Sequence, residues 1–243
     1  MAYRFLFVVL ACGLAGTAVA DFAGEFIVTS NYVWRGVSLS DDAPSVLGGF
    51  TYRDSADAGL YGSARIAAVR VEEQDDDGDL STRDEQQLLM RLGYRIPVQG
   101  WRVDVGALYY EFLRGNHFDA ENNRLLPGTA NQQDFPEAYI GIGKYGAEFR
   151  FSYSDDYFGS GAVSRYYELN YRHPLGETLS LVAHFGMLHS QAVDDHISWL
   201  GDTAFGIVKE PFSFLITNLD DNEDGRQSRN PRYVISWRQM ISL

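Results

Sequence analysis

The sequence predicts an all-β fold, a transmembrane antiparallel up-and-down β-barrel of 12 strands. Three observations point there. Windows of about ten residues alternate apolar and polar side chains. The connections between those windows alternate short and long. Aromatic residues gather near the predicted strand ends.

The alternation is plainest in three stretches. Leu88, Met90, Leu92, Tyr94 and Ile96 interleave with Gln87, Leu89, Arg91, Gly93 and Arg95. Trp101, Val103, Val105, Ala107 and Tyr109 interleave with Arg102, Asp104, Gly106 and Leu108. Tyr145, Ala147, Phe149, Phe151 and Tyr153 interleave with Gly146, Glu148, Arg150, Ser152 and Ser154. A period of two places each set on one face of a strand, and no helical period fits better. Extended along the chain, the pattern predicts strands at 22–37, 45–53, 58–71, 86–96, 101–113, 136–144, 145–154, 163–173, 178–188, 197–208, 211–218 and 231–243. Those at 58–71 and 211–218 alternate least well.

Every second connection is short: Asp54-Ser55-Ala56-Asp57, Pro97-Val98-Gln99-Gly100, Lys144-Tyr145, Pro174 to Thr178, and Lys209-Glu210-Pro211. Those between are longer and polar, among them Glu72 to Glu85, Arg114 to Phe135 and Leu219 to Asn230. Short periplasmic turns and long external loops are the habit of outer-membrane barrels. Both termini are then expected in the periplasm.

The N-terminus fits export. Arg4 is followed by an apolar run, Phe5 to Leu14, and by the small-x-small site Ala18-Val19-Ala20. Residues 1–20 read as a cleavable signal peptide and 21–243 as the barrel domain. The single cysteine, Cys12, lies in the leader, so the barrel carries no disulfide. No later stretch reaches the roughly 18 apolar residues of a spanning helix.

Net charge is −13, and most of the acidic residues fall in the predicted outer loops. Those loops hold only Arg83, Arg114, Arg124, Arg226 and Arg229 as basic residues. An anionic exterior repels phosphates, which argues against nucleic acid as a partner. The expected partners are outer-membrane lipid and lipopolysaccharide, a small solute, and the barrel-insertion machinery. No cofactor is indicated. Tyr32, Trp34, Tyr109, Tyr153, Tyr167, Trp199 and Tyr233 form one predicted aromatic girdle, and Tyr52, Tyr94, Trp101, Tyr145 and Tyr171 the other.

Ser30-Asn31-Tyr32-Val33-Trp34-Arg35-Gly36-Val37-Ser38, Pro44-Ser45-Val46-Leu47-Gly48-Gly49 and Gly59-Leu60-Tyr61-Gly62 resemble the N-terminal block of the TorF-type porin family. Glu137-Ala138-Tyr139-Ile140-Gly141, Tyr166-Tyr167-Glu168-Leu169, His173-Pro174-Leu175 and Leu179-Ser180-Leu181 are weaker matches. That conserved proteobacterial outer-membrane family is of unknown function. The resemblance implies a barrel and a porin role, and no catalytic residues. The acidic stretch Glu72 to Glu85 and the final Leu243 depart from the pattern.

With the apolar face toward lipid, the opposite face places Arg65, Arg91, Arg95, Arg102, Asp104, Glu148, Arg150, Glu168, Arg172, Asp202, Arg232 and Arg238 in the lumen as pore-lining candidates. Arginine's planar fork suits carboxylates and phosphates. A basic lumen favours small anions. The competing reading is that these arginines pair with the acids and close the barrel, because about 12 strands lie between filled and open barrels. The sequence therefore leaves two functions: a channel for small, anionic solutes, or a closed structural or surface-binding, adhesive barrel without transport.

Two further features are weaker. Asp75, Asp77 and Asp79, and Asp220, Asn222 and Asp224, precede glycines or alternate like the first half of a calcium loop. Neither has the Glu at the twelfth position, so a solvated acidic loop is favoured over weak divalent-cation binding. His184, His189-Ser190 and His196 form no nucleophile or metal motif, and no enzyme is expected. Leu92, Val105, Phe149 and Leu181 are expected to face lipid. Gly106 is expected to face inward, where an Arg should disturb insertion less than on the lipid face because the lumen is polar.

Overall fold

The computed structural model describes residues 21–55, 58–74, 80–113, 116–119, 124–127, 134–190, 199–220 and 231–243. Twelve strands close into one antiparallel barrel: β1 (Asp21–Thr29), β4 (Ser45–Arg53), β5 (Gly59–Gln74), β6 (Leu80–Val98), β7 (Trp101–Leu113), β10 (Phe135–Lys144), β11 (Ala147–Ser154), β12 (Ser164–Pro174), β13 (Leu179–Ser190), β14 (Leu200–Lys209), β15 (Phe212–Asp220) and β16 (Arg232–Ser242). Each pairs with its sequence neighbour in the barrel, and β1 closes the ring against β16. Two small hairpins form sheets separate from the barrel wall, β2 (Val33–Trp34) with β3 (Val37–Ser38), and β8 (Asn116–Asp119) with β9 (Arg124–Pro127).

The alternation of connections holds. One end of the barrel carries tight turns and the other the long segments. Gln99–Gly100 and Tyr145–Gly146 each have positive φ at both residues (50° and 79°, 52° and 83°). That is the geometry of two-residue turns whose twist matches the flanking strands. Both described chain ends lie at the turn end, where the Leu243 amide donates to the Phe22 carbonyl at 2.9 Å.

Opposed residues share a face. Tyr94, Val105 and Ile140 form one outward row, and Gly93, Gly106 and Tyr139 the inward row beside it. Leu92, Phe149 and Leu181 are exposed on the outside, as the sequence predicts. So are Tyr153, Trp199 and Tyr233 near the loop end, and Tyr94, Trp101, Tyr145 and Tyr171 near the turn end. An apolar belt with aromatic rims is the surface that hydrocarbon and headgroups demand.

Four expectations are corrected. The first strand ends at Thr29, not near residue 37. The chain leaves the wall at Ser30 and folds into the barrel, so Tyr32 and Trp34 pack in its interior rather than in a girdle. The span predicted as a loop from Glu72 to Glu85 is mostly strand, because β5 and β6 pair as far as Gln74 and Leu80. The hairpin β8–β9 lies within the predicted loop 114–135. Finally, Gly106 has no room: a Cβ there would lie 2.3 Å from the Leu92 carbonyl and 2.4 Å from the Tyr139 hydroxyl.

Candidate functional site

The interior divides into two zones. At the loop end, Ser30–Pro44 forms a plug. Its tip is the hairpin β2–β3, turned at Arg35 (φ 49°) and Gly36 (φ 76°). Glycine is required there, because a Cβ on Gly36 would sit 2.8 Å from both Asp202 Cβ and Leu219 Cδ1. Trp34 packs edge-on to Tyr110 and Phe158, and Phe135 stacks on Tyr110 at 4.6 Å. Tyr157 and Phe158 reach the cluster from the 3-10 turn Tyr157–Gly159.

Polar contacts fasten the plug. Arg35 donates both Nη atoms to Glu137, at 2.8 and 2.7 Å, with both side chains buried. Burial disfavours the Arg35 charge, but Glu137 outweighs it and holds the guanidinium well above its ordinary range. The Arg35 guanidinium also covers the rings of Trp34 and Tyr166, at 4.5 and 4.1 Å. Tyr32 donates to Gln87 Oε1 at 2.8 Å, and burial pushes its hydroxyl up to about 12. Asn31 donates to Asp42 at 2.6 Å, and Arg232 donates to the same Asp42 oxygen and to the Gly36 carbonyl.

Below the plug the wall is polar. The twelve residues named from sequence lie on the face opposite the exposed apolar belt, where they meet the following partners. Arg65 and Arg238 converge on Glu25, with Nε and Nη2 at 2.7 and 2.6 Å. Tyr61 donates to Asp104 at 2.6 Å and meets the Tyr139 hydroxyl. Arg91 and Arg95 flank Asp104 at 3.9 and 3.7 Å. Glu148 accepts from Arg102 at 2.7 Å and Arg150 at 2.6 Å, and Glu168 lies 3.3 Å from Arg150. Arg172 is apart at the turn end, donating to Ser180 at 3.2 Å and Glu210 at 3.4 Å.

Cations and rings also alternate along this wall. Arg95 lies 4.4 Å from the Tyr61 ring centre and Arg91 5.3 Å from it. Arg91 and Arg150 lie 4.8 and 4.9 Å from the Tyr139 ring centre. The series Arg95, Tyr61, Arg91, Tyr139, Arg150 is thus a continuous ladder. Two of its buried donors, Arg91 Nη2 and Arg150 Nε, have no hydrogen-bond partner among the described residues.

Two cavities run beside the ladder. One, of about 550 Å³, has the plug residues Asn31 to Gly36 as its outer boundary and includes Arg65, Arg91, Arg150, Glu168 and Asp202 in its lining. The other, of about 430 Å³, includes Arg102, Glu148, Asn170 and Arg172. Both are lined by His184, Ala204 and Leu215. Among these groups, nine arginines (Arg35, Arg65, Arg91, Arg95, Arg102, Arg150, Arg172, Arg232, Arg238) face six carboxylates (Glu25, Asp104, Glu137, Glu148, Glu168, Asp202). The basic excess is smaller than the sequence suggests, because Glu25 and Glu137 join the interior.

Sequence reasoning missed Glu25, Arg35, Tyr61, Glu137, Tyr139 and Tyr166 as interior partners. Inward tyrosines read as apolar, so the ladder has no signal in a two-class pattern. His184 sits in the wall with Nε2 2.8 Å from Asp202 Oδ1 and Nδ1 2.7 Å from Asn170 Oδ1. His189 packs instead against Trp199, and His196 lies outside the described residues. Asp75, Asp77, Asp79, Asn222 and Asp224 also lie outside them, and Asp220 ends β15. Among the described residues no group of three or more His, Cys, Asp or Glu could hold a metal ion.

A family model described as "Bacterial protein of unknown function (Gcw_chp)" matches residues 15–235. No curated protein matches the chain. Solved structures similar to it include an outer membrane channel from Pseudomonas putida F1, at 14% identity and TM-score 0.48, covering 93% of this chain and 96% of that one. The NanC porin matches at 12% identity and TM-score 0.45, covering 92% and 98%. OccAB3 of Acinetobacter baumannii matches at 6% identity and TM-score 0.35, covering 83% and 66%.

Proposed function

The chain belongs to the Gcw_chp family of bacterial proteins, and we propose that it is an outer-membrane channel for small anionic solutes, closed at its outer end by the plug. The turn end then faces the periplasm and the long segments face outside, with lipid and lipopolysaccharide around the belt. The observation that carries this reading is the ladder from Arg95 to Arg150, beside two cavities that share lining residues. Arginine stays charged at any physiological pH. A wall of such charges lowers the barrier for an anion that sheds part of its hydration. The acidic exterior opposes entry, but exposed charge is screened over about 8 Å at physiological salt, whereas charge in a narrow lumen is screened less.

A closed barrel is the second reading, and the plug favours it: conduction along this path requires residues 30–44 to move. Planar-bilayer recording separates the two. A salt gradient should give a reversal potential of anion selectivity that Arg91→Ala and Arg150→Ala together abolish. Cation selectivity at low and high salt, unchanged in that double variant, would remove the arginine pathway. Absence of current even after Glu137→Ala frees the plug would establish the closed barrel.

A further inference from the structure

The larger cavity has features that a simple conduit does not need. The buried Arg91 Nη2 and Arg150 Nε have no hydrogen-bond partner among the described residues, Asp104 Oδ2 lying 3.9 Å from Arg91 Nη2, although buried polar groups are normally satisfied. Both guanidinium groups are oriented by contacts on their other sides. Arg91 Nε donates to the Tyr139 hydroxyl at 3.1 Å, and the two Nη atoms of Arg150 engage Glu148 and Glu168. Fixed donors of this kind are pre-organised for an oxyanion.

Hydroxyls stand among the apolar residues of the same lining. Ser63, Ser152 and Thr217 line the same cavity as Arg91 and Arg150. A volume of about 550 Å³ lies within the range of pockets for small organic molecules rather than single ions. Charge narrows the ligand further. The cavity lining holds Arg35, Arg65, Arg91 and Arg150 against Glu168 and Asp202, so arginine outnumbers carboxylate and an anion is favoured. A dianion would add a charge facing Glu168 and Asp202 across a confined space.

We propose that this cavity binds one hydroxylated organic monocarboxylate, its carboxylate between Arg91 and Arg150 and its hydroxyls toward Ser63, Ser152 and Thr217. The site deepens the channel reading by naming the solute class, but equilibrium binding tests it separately from conduction. The full barrel, folded in detergent, is titrated calorimetrically with gluconate, with sorbitol, with acetate and with inorganic phosphate. Fluorescence of Trp34, which borders the cavity, provides a second readout.

Gluconate should saturate one site per barrel, sorbitol should give no binding heat, and acetate should bind about tenfold or more weakly. Arg91→Lys keeps the charge but loses the planar fork, and should weaken gluconate about tenfold. Ser152→Ala should weaken gluconate and leave acetate unchanged. Sorbitol binding as well as gluconate, phosphate displacing gluconate at equal concentration, or no saturable gluconate binding by folded protein would each overturn the proposal. Binding without bilayer current would remove the channel and keep the site; anion-selective current without saturable binding would do the reverse.

Discussion

The loop-end half of the interior and the turn-end half are built on the same twelve strands, yet they are filled in opposite ways. Around Trp34, Tyr110, Phe135 and Phe158 the space is closed by rings. Around Glu25, Asp104 and Glu148 it is bordered by paired charges and stays partly open. The strands do not set this difference, since both halves alternate inward and outward with period two. It is set by whether a connection returns inside. Residues 30–44 and 155–163 do so at the loop end. The turns at Gln99–Gly100 and Tyr145–Gly146 are too short to reach inward. A barrel of this size therefore becomes a closed core or a cavity according to loop length at each end.

The sharpest way to break the comparison is at Glu137, which fastens the plug to the wall. Its side chain is fully buried against Arg35. Glu137→Ala leaves the Arg35 charge buried without its partner, which should cost about 3–5 kcal/mol. Urea unfolding of the folded, heat-modifiable form measures this, and bilayer current should rise as the plug loosens. Unchanged stability and unchanged current would mean that the two halves are not held apart by this pair.

The next effect tests inside against outside. Leu92→Arg and Phe149→Arg place a charge on the lipid face near mid-membrane and should cost roughly 2–4 kcal/mol each. Thr51→Arg, on the inward face near the turn end, should cost less. Equal losses of heat-modifiable protein for both kinds of variant would reverse the assignment of faces.

Gly106 marks the boundary between the halves. Its added methyl would press on the Leu92 carbonyl and on Tyr139, the rung between Arg91 and Arg150. Gly106→Ala should cost about 1–3 kcal/mol as overpacking, and should weaken anion selectivity by displacing Tyr139. Wild-type stability with wild-type reversal potential would show that the wall yields there without disturbing the ladder.

The wall was legible because lipid enforces its rule on every outward residue: Leu92, Phe149 and Leu181 have no alternative placement. The plug was not, because alternation continues past Thr29 through Tyr32 and Trp34. One local signal existed. Arg35–Gly36 is a residue–glycine pair like Gln99–Gly100 and Tyr145–Gly146, and all three turn with two positive φ values. The inward arginines were legible as polar members of the pattern. Their pairing was not, because partners such as Glu25 with Arg238 across the β1–β16 seam, or the plug residue Arg35 with Glu137, are far apart in sequence and meet only on closure. Tyr61 and Tyr139 show the same limit from the other side: a ring with a hydroxyl serves either face, and only register decides.

The smallest effect lies at the turn end, where a pair of the same chemistry as Arg35–Glu137 sits in water. Arg172 and Glu210 are both largely exposed, with Nη2 3.4 Å from Oε1. Exposed pairs gain little over solvation and lose side-chain freedom, so Glu210→Gln should cost less than about 1 kcal/mol. Salt should erase the difference, since roughly 1 M salt shortens the screening length to about 3 Å. Arg172 keeps its contact with Ser180 in the variant, which further limits the loss. The measurement is the urea midpoint of Glu210→Gln against wild type at low and high salt, beside Glu137→Ala under the same conditions. The Glu137 deficit should persist in high salt, because no ion reaches a side chain with no exposed surface, and the Glu210 deficit should vanish. A salt-resistant loss at Glu210 comparable to that at Glu137 would mean that the turn-end half is as closed as the loop-end half, and the contrast between the two would fail.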